Sequence, residues 1–202
     1  MLSIIHDFLK RFPDEMATIG RLVAGYGELE YGLARLLATV SKDEASAMKL
    51  IFRTRGESGR LAMLDAATEH RMDALGLAPH YKELRDAVRW CRDIRNQYAH
   101  AHWMEGKPSC LLFCNMDEAV KGRGTAVVMD FERIGIDLLN EQEAYFNYAY
   151  QLIPYLKSSY VRRSHDPKAR LRPKPKRVAQ PKLHNPTEGY GIRRHARGIP
   201  LL

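Results

Sequence analysis

Between residues 14 and 40, Met16, Ile19, Leu22, Val23, Tyr26, Leu29, Leu33, Leu36, Leu37 and Val40 recur at spacings of three and four. Such spacing gathers them on one face of an α-helix. This stripe predicts the strongest helix of the chain, and the same period recurs downstream. Ser41 with Glu44 reads as a capping box opening a second helix that runs to about Arg53, where Gly56 and Gly59 break it. A third helix is expected over about 58–75, closed by Gly76, which tolerates the left-handed backbone that ends many helices. Pro79 can open a fourth, on which Tyr81, Leu84, Val88, Cys91, Ile94 and Tyr98 keep helical spacing.

After Trp103 the period changes. Residues 110–114 and 125–131 are short β-branched or aromatic runs separated by a glycine-containing segment, which predicts a small β-hairpin over about 109–131. Helical spacing returns over 136–156 through Leu139, Tyr145, Tyr148, Leu152 and Leu156, with Pro154 near the last turn. The expected fold class is therefore all-α, an antiparallel helical bundle with a small β-hairpin insertion, over residues 1–156.

Charge separates the remainder. Residues 157–202 hold 13 of the 32 Lys and Arg residues and only two acids, Asp166 and Glu188, so they carry +11 while residues 1–156 carry −3. Six of the ten prolines also lie beyond residue 160. With few apolar residues to bury, this basic, proline-rich stretch is expected to be a disordered tail. The high isoelectric point therefore belongs to the tail and does not itself indicate a basic face on the folded part.

The three cysteines, Cys91, Cys110 and Cys114, form no C-x-x-C pair, and no secretory leader is recognisable. A reducing, cytoplasmic location is the expectation. No apolar run approaches the length needed to cross a bilayer, so no membrane partner is expected.

The fourth helix delivers Arg95-Asn96-Gln97-Tyr98-Ala99-His100 near its end. Preceded by a long amphipathic helix and followed by Trp103 and a short hairpin, this run resembles the R-x(4–6)-H signature of the HEPN superfamily, in which a polar residue commonly follows the arginine as Asn96 does. The likeness extends to helix order, with a long first helix reading Gly27-Glu28-Leu29-Glu30-Tyr31-Gly32-Leu33, and covers about residues 14–156. It implies an HEPN-type bundle and metal-independent cleavage of RNA at a site shared by two protomers, with no cofactor.

The chemistry can also be argued from the residues. Attack of a ribose 2′-OH on the adjoining phosphodiester needs a base, an acid for the leaving 5′-oxygen and charge stabilisation at phosphorus. His100 can serve as base or acid near neutrality, and Arg95 stays cationic and presents planar donors to phosphate oxygens. One chain supplies only one such pair, so the expected site is homodimeric. Asn96 and His100 share a helix face, whereas Arg95 and His100 stand about 140° apart on an ideal helix, so Arg95 must reach round or the helix must loosen. Glu30, at the edge of the first apolar stripe, is a candidate for orienting Arg95 or Asn96, or else simply pairs with a neighbouring arginine.

Other readings stay open. Arg95 and His100 could form a structural network at a helix end or a noncatalytic RNA- or protein-binding module. A toxin-like protein controlled by a separate antitoxin-like partner is a third reading, although His102 stands where family members regulated by nucleotidyltransferase antitoxins often carry a tyrosine. His100-Ala101-His102 lacks the further ligands zinc needs. Gly122-Arg123-Gly124 lacks the strand-to-helix context of a phosphate loop. Cys110 and Cys114 read as small core groups, and the tyrosines of the last helix as packing. In the tail, the clusters Arg162-Arg163, Lys174-x-Lys176-Arg177 and Arg193-Arg194 suggest salt-dependent contact with RNA phosphates; the alternative is a solvated linker.

Overall fold

A computed structural model describes residues 6–121, 127–185 and 193–196. The protein is mostly helical, and its elements group into two compact units. Three helices, α1 (Pro13–Ser41), α4 (Ala78–Ala99) and α6 (Ile136–His165), each contribute residues to both units.

The first unit comprises Met1–Val23, Arg92–Glu143 and Pro181–Leu202. A 3-10 turn, Asp7–Arg11, leads into α1, which begins at Pro13 with Asp14 and Glu15 in its first turn. Proline suits this position because the missing N–H would have no helical partner, and the acids complement the helix dipole. Strand β1 (Ala101–Gly106) follows α4 almost at once and pairs antiparallel with β2 (Cys110–Asn115). A short helix, α5 (Met116–Ala119), comes next, and then β3 (Val127–Asp130) and β4 (Glu132–Ile134). The sheet order is β1-β2-β4, and β3 pairs separately with β5 (Arg193–Ala196).

The hairpin expected over 109–131 is thus corrected. The partner of residues 110–114 is the segment directly after the motif, turned at residues 107–109, whereas Val127–Asp130 joins the C-terminal strand. The fold is mostly helical, as expected, and carries a small three-stranded antiparallel sheet in place of a single hairpin. The turn permits no side chain at Gly106: a Cβ there would lie 2.7 Å from Cys110 Sγ and 2.9 Å from a Leu112 methyl. Cys110, Leu112, Cys114 and Phe131 are buried together, with Met104, Met116 and Met129 against them.

The second unit, Ala24–Cys91 with Ala144–Gln180, is built of helices. Lys42, in the left-handed region at φ 61°, ends α1. The N-cap of α2 (Glu44–Arg53) is Asp43, whose carboxylate accepts from Ser46 N at 3.0 Å. This corrects the capping-box reading, since Ser41 is the last residue of α1. Helix α3 (Glu57–Ala74) closes in a Schellman motif, with Leu77 N bonded to Met72 O at 2.8 Å and Gly76 N to Asp73 O at 2.8 Å. Gly76 adopts φ +64°, as its role requires. Gly32 lets α1 approach α6 closely, because a Cβ there would meet Ile153 at 2.7 Å.

The basic stretch also differs from expectation. Its first part, through His165, completes α6, with Pro154 inside the helix. Residues 166–185 follow a defined path without helix, tied to the folded body by side-chain and backbone hydrogen bonds. The expected disorder is corrected for residues 157–185; residues 186–192 and 197–202 lie outside the described residues. No described helix is long and apolar enough to cross a membrane.

Candidate functional site

The motif lies in the first unit, where α4 gives way to the sheet. Helix α4 stops at Ala99, so His100 occupies the connecting turn and its carbonyl accepts from Met116 N at 3.1 Å. The helical backbone therefore ends between Arg95 and His100. Arg95 and Asn96 are half-buried and directly joined, with Arg95 Nη1 donating to Asn96 Oδ1 at 2.8 Å. His100 is half exposed, at 51% of its side chain, and its Nε2 stands 3.8 Å from the Asp117 carboxylate at the start of α5.

Behind these polar groups is a set of neutral hydrogen bonds. Tyr98 Oη donates to Gln142 Oε1 at 2.7 Å. Gln142, wholly buried, donates through Nε2 to Lys182 O at 2.9 Å and Leu183 O at 3.0 Å. Gln97 Nε2 donates to the same Leu183 carbonyl at 2.8 Å. Two residues of the motif are thereby fastened to α6 and to the C-terminal segment. Burial pushes the Tyr98 phenol above its ordinary range, against the hydrogen bonds of Gln142 and Gln97, so it acts as a neutral donor. The ring also stacks on Trp103 and meets Phe113 edge-on, which anchors the end of α4 to the hairpin.

The C-terminal segment is held further by Asn185. Its N–H donates to Arg133 O at 3.0 Å and its Oδ1 accepts from Gly135 N at 2.9 Å. His184 Nδ1 lies 3.0 Å from the Glu132 carboxylate.

Of the expected site residues, the structure joins Arg95 and Asn96 and leaves His100 open beside Asp117. Glu30 belongs to the second unit, where its carboxylate receives Arg60 Nη1 at 2.6 Å beside a shallow recess lined by Tyr26, Leu33 and Leu61. The pairing with a neighbouring arginine, one of the two expectations for Glu30, is observed. Arg163 caps α3, donating to Leu75 O at 2.7 Å and Gly76 O at 3.1 Å, while Arg162 donates to Arg170 O at 3.3 Å. Lys174 is bound to Glu83 at 2.7 Å, and Lys176 and Arg177 are exposed. Arg193 and Arg194 lie on β5, opposite Asp130 and Met129.

Asp117 and Gln142 were not singled out from the sequence, and Gln97 and Tyr98 entered only as members of the motif run, with Tyr98 also in the apolar stripe. Gln142 carried a local signal, an amide at helical spacing from Leu138, Leu139, Tyr145 and Phe146 on the apolar face of α6, but its partners are distant in sequence. Among the described residues, no group of three or more His, Cys, Asp or Glu side chains could hold a metal ion. The cysteines are buried; burial raises the thiol pKa of Cys91, and of Cys114 together with Asp130 and Glu132, so neither is an activated nucleophile.

Comparison of the chain with family models, with curated proteins and with solved structures finds no match in any of the three.

Proposed function

We propose that the protein is a metal-independent endoribonuclease of HEPN type, with Arg95 and His100 as one half of an active site completed by a second copy of the chain. The observation that carries the reading is the end of α4 at Ala99, which releases His100 into a half-exposed turn while Arg95 stays aligned by Asn96. A histidine in such a turn can meet a substrate, and an arginine held by a side-chain amide loses less freedom when it binds phosphate.

In this mechanism one His100 takes the proton of the ribose 2′-OH as O2′ bonds to phosphorus. The P–O5′ bond breaks, and the His100 of the second copy gives its proton to the departing oxygen. The two Arg95 guanidinium groups stabilise the added charge on the nonbridging oxygens. The products are a 2′,3′-cyclic phosphate and a free 5′-OH. Asp117 is placed to orient His100, and the Tyr98–Gln142–Gln97 network supports the helix end without touching substrate.

The test is cleavage of varied RNAs in EDTA by the native chain, Arg95→Ala and His100→Ala, after each is shown to be folded. Cleavage by the native chain with 2′,3′-cyclic ends, lost in both variants, is expected. Undiminished cutting by folded His100→Ala removes the proposed role. A folded dimer that cuts no RNA leaves a noncatalytic binding module, and the toxin reading would need a separate neutralising partner.

A further inference from the structure

Helix α6 ends in a tight turn centred on Asp166. Asp166 N returns to Arg162 O at 2.9 Å, Lys168 N donates to Asp166 Oδ1 at 3.0 Å, and Ala169 N donates to Asp166 O at 2.9 Å. Residues 169–182 then have neither helix nor strand partner. Lys168, Arg170, Arg172, Lys174 and Lys176 occupy every second position, alternating with Ala169, Leu171, Pro173 and Pro175. Burial largely tracks the alternation: Ala169, Leu171 and Pro175 are half-buried and all five cations are exposed, Pro173 alone departing from it.

A row of like charges favours a loose chain unless something holds it. Here Arg162 Nη1 grips Arg170 O at 3.3 Å, and Lys174 Nζ reaches both Glu83 oxygens at 2.7 and 3.1 Å. Glu83 is itself fixed by Tyr148 Oη at 2.5 Å. Lys174 is therefore the pin of the row. Among the described residues, no acidic side chain pairs with Lys168, Arg170, Arg172 or Lys176.

We propose that residues 168–177 form a preordered ladder for the sugar-phosphate backbone of a single RNA strand. Lys168 belongs to the turn, whereas Pro173 and Pro175 fix their own φ and keep Arg172 and Lys174 out of the helical region; alternate residues of such an extended stretch stand about 6–7 Å apart, comparable with successive phosphates along an extended strand. Unneutralised cations held at that spacing repel one another in the free protein. A polyanion relieves the repulsion and releases its own counterions. Because the row is already pinned, binding costs less ordering than a loose basic tail would. The ladder rests on the charge pattern; the choice of RNA as ligand rests on the ribonuclease reading. Its contacts are to phosphates, so it captures a strand without selecting a sequence.

The test uses the full chain and a labelled uridine homopolymer, with affinity measured across a salt series. Replacing the four unpaired cations, as K168Q/R170Q/R172Q/K176Q, is expected to lower the slope of log affinity against log salt by about 3 and to weaken low-salt binding at least tenfold. The charge-preserving K168R/R170K/R172K/K176R should retain both. K10Q/K49Q/R53Q/K82Q, which changes net charge equally elsewhere, should have the smaller effect. Circular dichroism and thermal unfolding establish that each variant is folded. An unchanged slope in the first variant overturns the ladder, as does an equal fall in the third. Binding of the native chain to phosphatidylserine vesicles but not to the oligonucleotide also overturns it. Cleavage with an unchanged slope removes the ladder alone, whereas a ladder effect without cleavage removes only the active-site reading.

Discussion

The two halves of helix α4 are secured by different chemistry. In the second unit its early turns are held by charge: Asp65 accepts from Tyr81 Oη at 2.8 Å and from Arg89 Nη2 at 3.2 Å, and Arg85 Nη1 stands 3.7 Å away. In the first unit the last turn is held by neutral amides and a phenol, with Gln97, Tyr98 and Gln142 fastening Leu183 and Lys182. Ionic support weakens with salt and depends on pH, whereas buried amide hydrogen bonds are largely insensitive to both. The end of the helix that bears the candidate site has the support less affected by solution conditions.

The largest effect should come from the neutral network. Gln142→Leu leaves Tyr98 Oη and Lys182 O without the amide partner that satisfied them, and should cost about 2–4 kcal/mol. Urea unfolding would measure the loss, and limited proteolysis should show faster cleavage after residue 181. Little change in either would show that the clamp does not support the motif. Gly106→Ala comes next: the added methyl meets Cys110 and Leu112, and overpacking should cost about 1–3 kcal/mol, read as a fall in the urea midpoint.

Asp65→Asn should cost less, about 1–2 kcal/mol, because Tyr81 can still bond an amide oxygen and Arg89 is partly exposed. Its penalty should shrink between low and high sodium chloride in urea titrations while that of Gln142→Leu stays constant. Equal salt responses would erase the distinction between the two halves.

Acid should produce the mildest change, centred on the pin of the basic row. Burial would raise the Glu83 pKa, but hydrogen bonds from Lys174 and Tyr148, with the charges of Lys174 and Arg177, hold it below the ordinary carboxylate value. A depressed carboxylate contributes stability above its unfolded pKa and loses it as pH falls through the folded one. His80 acts in the same direction. Burial lowers its pKa, as do Lys174 and Arg163 against the opposing Glu83, so the unfolded chain takes up the proton first. Stability should therefore decline from about pH 6.5, the ordinary histidine value, and fall further through and below the carboxylate range. Hydrogen exchange over residues 168–177 would track it, and Glu83→Gln should remove the lower part of the decline.

Helices were legible where apolar periodicity was long, and the four expected over residues 14–99 correspond to α1–α4. Strand partners were not. Residues 110–114 read as β, yet nothing in them distinguishes β1 from a later segment as their neighbour, because pairing depends on which backbone arrives beside them. The cap of α2 was misplaced by two residues, since Ser41 and Asp43 are both competent caps and the left-handed Lys42 decides between them. At the candidate site, Arg95, Asn96 and His100 stood out as residue types at a spacing. Asp117 did not, because an isolated aspartate carries no local pattern.

The sequence by itself determined the helical period, the place of the R-x4-H run near a helix end and the concentration of positive charge beyond residue 157. Those properties depend on residues close to one another in the chain. Only the tertiary structure decided that the basic stretch is anchored through residue 185, that Glu30 pairs with Arg60 and that β1 lies against β2. Glu83 meets Lys174, and Gln97 meets Leu183, across sequence separations of 91 and 86 residues. Their partners are selected by where the folded backbone delivers them, and local periodicity contains no information about that delivery.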